Sequence, residues 1–235
     1  MAASNASPTI FIAGASRGLG HAMAAEFAAR GWNVIGTVRD PAKPTPLREL
    51  AERNPRVAIE RLDIDDEAEI AALRGRLAGA SLDILFVNAG TTTRDQYALL
   101  RDVERAEFVR VMVTNAWSPM RVIEALADLV PADGMIGAMS SGQGSLANNT
   151  GGLREVYRAS KAALNMAMKS VAAHEENAGR ALVLMAPGWV KTDLGGPDAR
   201  LTVEESIPSL VDVLLAKRAR PGLEYLDYQG RTVPW

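Results

Sequence analysis

Tyr157 and Lys161 stand four residues apart in the stretch Glu155-Val156-Tyr157-Arg158-Ala159-Ser160-Lys161-Ala162-Ala163-Leu164-Asn165. That stretch is rich in Ala, Leu and Lys, and no Gly or Pro follows until Gly179, so it predicts a helix. Residues i and i+4 lie one above the other on a helix face, which points the phenol and the ammonium the same way. A free tyrosine gives up its proton near pH ~10. A fixed positive charge beside it favours the phenolate and lowers that value. Such a pair can donate and accept a proton near neutral pH. The plainer alternative is a half-buried tyrosine next to a surface lysine, and only the rest of the chain can decide between them.

A second set of residues suits phosphate. The apolar run Thr9-Ile10-Phe11-Ile12-Ala13 leads straight into Gly14-Ala15-Ser16-Arg17-Gly18-Leu19-Gly20. A helix then runs to about Arg30, with Leu19, Met23 and Phe27 on one stripe and Gly31 as its stop. Strand, glycine turn and helix together open a nucleotide-binding βαβ unit, in which the backbone can approach a pyrophosphate at the helix N-terminus. The spacing is G-x-x-x-G-x-G, not the common G-x-G-x-x-G. A second strand, 33–38, ends in Val38-Arg39-Asp40. An acid at this strand end reads a ribose hydroxyl, and an arginine accommodates a 2′-phosphate. Arg39 and Arg17 can fork onto one phosphate, which favours NADP(H) over NAD(H). Asp40 suits the turn at Asp40-Pro41, and a plain surface role for Arg39 is the competing reading.

Composition removes several chemistries. Among 235 residues there is no Cys and there are two His, His21 and His174, in separate segments. Disulfides and thiolate sites are therefore excluded, and a histidine metal centre or a Ser-His-Asp triad is disfavoured, so no metal is expected. A net charge of -2 offers no basic field for nucleic acid. No apolar run reaches the ~20 residues that span a bilayer, so no membrane association is expected. Residues 1–7 lack the basic and apolar regions of a signal peptide and read as a loose tail. A soluble cytoplasmic protein is the default expectation.

The remaining elements alternate. A short helix is expected over 47–53, a strand over 57–62, and a helix opened by the acidic run Asp65-Asp66-Glu67-Ala68-Glu69. Asp63 could cap that helix or contact an adenine. A buried strand over 82–88 ends in Asn88-Ala89-Gly90, and one long helix covers 103–130 despite Pro119. Asn115, a poor helix former inside it, suggests a kink ahead of Pro119 or a side chain that holds a water. The strand 135–139 ends in Ser140-Ser141-Gly142-Gln143-Gly144-Ser145, and the Tyr157 helix runs on to about Asn177. Strand 181–185 ends in Pro187-Gly188-Trp189-Val190-Lys191-Thr192-Asp193, followed by a mobile Gly-rich piece, 194–197. A helix over 203–216 closes with Lys217, Arg218 and Arg220, and 225–235 forms a short strand and tail. The pattern predicts an α/β fold: one single-domain, doubly wound parallel sheet, residues 1–235, with helices on both faces (Rossmann-type). Ligands in such folds bind at the carboxyl edge of the sheet, where the segments 14–20, 88–90, 140–145 and 187–193 collect.

Taken jointly, Gly14-x-x-x-Gly18-x-Gly20, Asp63, Asn88-Ala89-Gly90, Asn115, Ser140-Ser141, Tyr157-x-x-x-Lys161 and Pro187-Gly188-x-x-x-Thr192 resemble the short-chain dehydrogenase/reductase family over essentially the whole length. Tyr157 to Asn165, Pro187-Gly188-Trp189-Val190-x-Thr192-Asp193 and the ending Tyr228-x-Gly230 with Pro234-Trp235 look most like its carbonyl-reductase-like branch, which includes the C-factor and sniffer proteins. Two departures stand out. Ala13 occupies a position where the family usually has Thr, and Tyr157 follows Ser141 by sixteen positions, longer than in many members. Ser140 and Ser145 therefore compete with Ser141 for the catalytic place.

The resemblance implies hydride transfer between a nicotinamide and a small carbonyl or alcohol substrate. It implies that Ser141 bonds the substrate oxygen and Tyr157 moves the proton. Lys161 lowers the Tyr157 pKa and holds the ribose, and Asn115 holds a water leading to solvent. For the dinucleotide it implies Gly14, Ser16, Arg17, Gly18, Leu19 and Gly20 in the turn, Arg39 at the second strand, and Asp63 and Ile64 beside the adenine. Asn88, Ala89 and Gly90 lie under the ribose with Tyr157 and Lys161, and Pro187, Gly188, Val190 and Thr192 fix the carboxamide. It also implies a homodimer or homotetramer. The substrate walls fall in the loops 91–97, 142–156 and 189–206, where Trp189 is either an apolar wall or core. A dinucleotide-binding signalling or regulatory protein of C-factor type, with little turnover, is the competing class.

Overall fold

Short apolar runs build the sheet. In the computed structural model, which describes residues 7–235, seven strands pair in parallel: β1 Thr9–Ala13, β2 Asn33–Val38, β3 Val57–Arg61, β4 Ile84–Val87, β5 Met135–Met139, β6 Ala181–Ala186 and β7 Gly222–Asp227. Their order is β3-β2-β1-β4-β5-β6-β7. Strands β4, β5 and β6 are buried along their whole length, so they read as unbroken apolar runs instead of alternating ones. The order reverses direction between β1 and β4, and the crevice at that switch point is where an open α/β sheet takes its ligand.

Among the described residues, seven α-helices cover the two faces: α1 Gly18–Ala29, α2 Pro46–Arg53, α3 Glu67–Arg76, α4 Arg105–Met112, α5 Ser118–Leu126, α6 Glu155–Ala172 and α7 Val203–Lys217. Ile10 and Ile12 of β1 face a core with Met23 and Phe27 of α1, Leu47 of α2 and Leu210 and Leu214 of α7. Phe11 and Ala13, one residue out of phase, face the opposite core with Leu73, Leu126, Leu164 and Met168. Phe27 is fully buried and meets the Trp32 ring edge-on at 5.2 Å, so its truncation to Ala costs about 3–5 kcal/mol.

Several boundaries differ from expectation, each for a local reason. Residues 1–6 of the expected tail lie outside the described residues. Ser7 is tied down, its carbonyl accepting from Asn33 at 3.1 Å and its hydroxyl from Arg56 at 2.9 Å. The single helix expected over 103–130 is interrupted by a π turn, Val113–Trp117. Pro119 has no N–H to return to the carbonyl four residues back, and the turn widens so that Ser118 N–H donates to Val113 O. Helix α6 stops at Ala172, short of Asn177, because the Asn177 side chain donates to the Val171 carbonyl at 2.9 Å and folds the chain back. Strand β4 ends at Val87, since Asn88 and Ala89 both turn their N–H groups to Ala13 O. Lys217 is buried at the end of α7, where it donates to the Gly222 carbonyl at 2.8 Å and pairs with Glu224. The Gly-rich piece 194–197 is bonded back on itself, Gly196 N–H donating to Thr192 O at 2.8 Å.

Candidate active site

The glycine turn leaves the β1 end under close constraint. Gly14 has φ 81°, and a Cβ there would sit 2.7 Å from the Cβ of Ala89, so no other residue fits. Asn88 donates to the Gly14 carbonyl at 2.7 Å and ties the β4 end to the turn. Ala13 offers no hydroxyl, but Thr37 of β2 supplies one from a neighbouring strand: its Oγ accepts the Gly14 N–H at 2.9 Å. Sequence reading missed Thr37, because the substitute lies on another strand.

Beyond the turn, Arg17 occupies the N-cap of α1 with no side-chain cap, and the first turn carries no acid. The leading N–H groups, from Gly18 and Leu19 onward, are free to meet an anion. Ser16 is half-buried beside them, and Gly20 is buried against the turn. Arg39 is exposed at the end of β2 and, among the described residues, engages no acid. Arg17 pairs with Asp193 across the crevice, and both side chains are exposed, so the pair is weak and open to a competing phosphate. Asp40 accepts from Ala42 N at 3.0 Å, the turn role expected of it.

At the β3 end, Asp63 accepts from Asp65 N at 3.1 Å, while Asp66 takes the helix cap with bonds from Ala68 N and Glu69 N. Ile64 is buried beneath. Asp65 departs from the expected first-turn role. It accepts hydroxyl bonds from Thr114 and Ser118, both at 2.6 Å, and so clamps the π turn.

Inside that turn Asn115 is fully buried. Its amide donates to Thr91 O at 2.8 Å and Ser160 Oγ at 2.9 Å, and its Oδ1 accepts from Thr91 N at 2.7 Å. Both donors are spent on protein, so the side chain braces the β4 loop against α6, and its Oδ1 keeps one acceptor position beyond Thr91 N. Gly90 lies between: a Cβ there would stand 3.3 Å from both Asn115 Oδ1 and Lys161 Nζ. A side chain at 90 would therefore crowd both polar groups, which glycine leaves clear.

Tyr157 and Lys161 share the buried face of α6. Lys161 donates to the Met139 carbonyl at 2.9 Å, and burial lowers its pKa to about 8. An ammonium has three N–H groups, so the rest remain for a ligand. Burial pushes the Tyr157 phenol above its ordinary value, while the nearby Arg154 charge and the neighbouring Ser141 hydroxyl pull it back. The Lys161 Nζ stands 5.9 Å from the ring centre, whereas the Arg154 guanidinium lies 4.6 Å from it.

The three candidate serines separate cleanly. Ser140 is buried and donates to Asn165 Oδ1 at 2.6 Å. Ser145 is buried and accepts from Asn148 N at 3.1 Å. Ser141 is half-buried, caps the turn 142–144 through a 3.2 Å bond from Gln143 N, and meets Tyr157. Tyr225 of β7 donates to the Ser141 carbonyl, which fixes the strand end.

Opposite stands the β6 loop. Pro187 accepts from the Ser206 hydroxyl at 2.7 Å, and Gly188 follows with φ 85°. Val190 is buried and bridges to Leu201, and Thr192 accepts from Gly195 N at 3.1 Å. Trp189 is not core: it is 43% exposed, its indole donating to Gly195 O at 2.7 Å. A separate surface cavity lined by Asp133, Gly134, Gly179 and Arg218 lies at the other end of the sheet and holds none of these groups.

A seven-stranded parallel sheet in this order, with a glycine turn at its switch point, defines a Rossmann-type dinucleotide fold. The chain belongs to the short chain dehydrogenase family, whose profile matches residues 8–200. It is 61% identical to a short-chain dehydrogenase/reductase from Burkholderia multivorans solved with bound NADP, covering 98% of this chain and 100% of that one with a TM-score of 0.96. It is 32% identical to a carbonyl reductase from Pseudomonas aeruginosa PAO1 in complex with NADP, covering 98% and 100% with a TM-score of 0.90. Among curated relatives, the C-signal of Myxococcus xanthus is 38% identical over 156 residues, 66% of this chain and 93% of that protein.

Proposed function

We propose that the chain is an NADP(H)-dependent oxidoreductase that reduces a carbonyl to an alcohol, or runs the reverse, with Tyr157 as general acid/base. The observation that carries this is the placement of Tyr157 beside Ser141 and of a buried Lys161, with donor capacity to spare, on the same face of α6. Bound in the crevice, a nicotinamide dinucleotide supplies the hydride. Ser141 donates to the substrate oxygen and steadies the charge that develops there. Tyr157, kept neutral by burial, gives its proton to that oxygen. Lys161 holds the nicotinamide ribose, and Asn115 positions α6 through Ser160. Val190 and Thr192 fix the carboxamide, Gly18, Leu19 and Ser16 the pyrophosphate, and Asp63 with Ile64 the adenine.

Preference for NADP(H) is supported by the unengaged Arg39 and by the two similar structures solved with NADP. Carbonyl substrates are supported by the likeness to the P. aeruginosa carbonyl reductase. Self-association has support in the exposed Val109, Trp117 and Met166 on adjoining helical segments.

The experiment is NADPH consumption across a panel of aldehydes, ketones and quinones, repeated with NADH. Turnover of at least one class, faster with NADPH, is expected. The likeness to C-signal favours a second reading, a dinucleotide-binding signalling protein. NADPH binding without consumption anywhere in the panel would establish that reading instead.

A further inference from the structure

Arg154 has no part in the roles above, yet its placement is unusual. It caps the start of α6 with φ 62° and ψ 44°, the one non-glycine residue at positive φ among the described residues. An L side chain crowds its own backbone there, and such outliers gather at functional sites. This backbone sets the guanidinium over the Tyr157 ring, 4.6 Å from its centre. One Nη reaches Thr92 Oγ1 only at 3.5 Å, a marginal bond, and the Nε is buried with no partner.

The neighbouring acids are spent elsewhere. Glu155 accepts from Leu100 N at 2.5 Å, Glu107 from Arg94 N at 2.6 Å, and Asp95 from Tyr97 N at 2.9 Å. None of these acids pairs with the Arg154 guanidinium, and burial lowers its pKa while the Tyr157 and Tyr97 phenols pull it up and Arg158 pushes it down. A partly buried cation without a counterion favours any anion that can reach it. Arg154 and its partner Thr92 lie in the two loops expected to wall the substrate, beside the Tyr157 ring.

We propose that Arg154 binds a carboxylate of the substrate, so that the preferred substrates are carbonyl compounds carrying a carboxylate close to the carbonyl group. The inference rests on the reading that Ser141 and Tyr157 hold the carbonyl oxygen. The carboxylate takes two parallel N–H bonds from the guanidinium fork. The reaction remains a two-electron reduction: hydride from the dinucleotide to the carbonyl carbon, proton from Tyr157 to its oxygen, giving a hydroxy acid.

The test compares kcat/KM for benzoylformate and its methyl ester with NADPH, in the wild type, Arg154→Met and Arg154→Lys. Both substrates share one carbonyl, so any effect of the substitution on Tyr157 cancels in the acid-to-ester ratio. The ratio should fall roughly 10- to 100-fold in Arg154→Met and recover in part in Arg154→Lys. A ratio unmoved by Arg154→Met, with the ester turned over, overturns the proposal and leaves the carbonyl reading standing. If neither substrate is reduced, calorimetric titration of benzoate and methyl benzoate onto the NADPH-loaded protein decides. Tighter benzoate binding that Arg154→Met abolishes supports the anion site while the carbonyl reading falls. Equal binding of the two overturns the site.

Discussion

Lys161 donates from Nζ to the carbonyl oxygen of Met139, 2.9 Å away, from a position 3% exposed. No carboxylate offsets that burial, and the pKa drops to about 8. An unfolded lysine titrates near ~10.4. Below pH ~8 both states carry the proton and the folded state bears the whole burial penalty; above it the folded state sheds the proton first, so stability from this group rises with pH until about 10.4. Lys161→Met should therefore stabilise the fold at pH 7 by on the order of 2 kcal/mol after the lost bond to Met139 is counted, while abolishing turnover. Urea unfolding of both proteins at pH 7 and pH 10 checks this, and the difference should shrink at the higher pH. A variant less stable than wild type at pH 7 contradicts it.

The same titration should shape activity. On the proposed role of the charged ammonium in holding the ribose, kcat/KM for NADPH should fall as pH rises through about 8, the value in the free protein. Tyr157 does not limit this range, because burial moves its titration upward. A profile flat from pH 7 to 9.5 rules the dependence out.

Ser140 and Ser141 should fail in different ways. With Ser141 as the proposed donor to the developing oxyanion, Ser141→Ala should lower kcat about 10²- to 10³-fold with the fold intact. Ser140→Ala leaves the buried Asn165 Oδ1 without the donor it has at 2.6 Å, and should cost about 1–3 kcal/mol in denaturant unfolding. Equal losses of activity in both, with no loss of stability in either, would dissolve the distinction.

Arg39→Ala should weaken NADPH roughly 10- to 100-fold and leave NADH within about threefold, since only the 2′-phosphate is lost as a partner. Fluorescence titration of both dinucleotides measures it. An equal loss for both would return Arg39 to a surface role.

Much of this was legible in the sequence because it is local. Apolar runs fixed six of the strand positions to within two residues, and the glycine turn announced itself between β1 and α1. What escaped was non-local. Thr37 replaces the hydroxyl missing at Ala13 from a neighbouring strand, and Asp65 reaches across to Thr114 and Ser118. The interruption at Asn115 was visible as a helix-poor residue ahead of Pro119, but not the π turn that frees its side chain for Thr91 and Ser160. Arg154 gave no signal at all, because a positive φ in an arginine has no sequence signature.

The central claim is that Tyr157 moves the proton. Single-turnover rates and NADPH affinity measured on Tyr157→Phe test it most directly. The account predicts a loss of about 10²- to 10⁴-fold in the rate of carbonyl reduction, with NADPH bound as in the wild type. Unchanged turnover in that variant would remove Tyr157 from the chemistry.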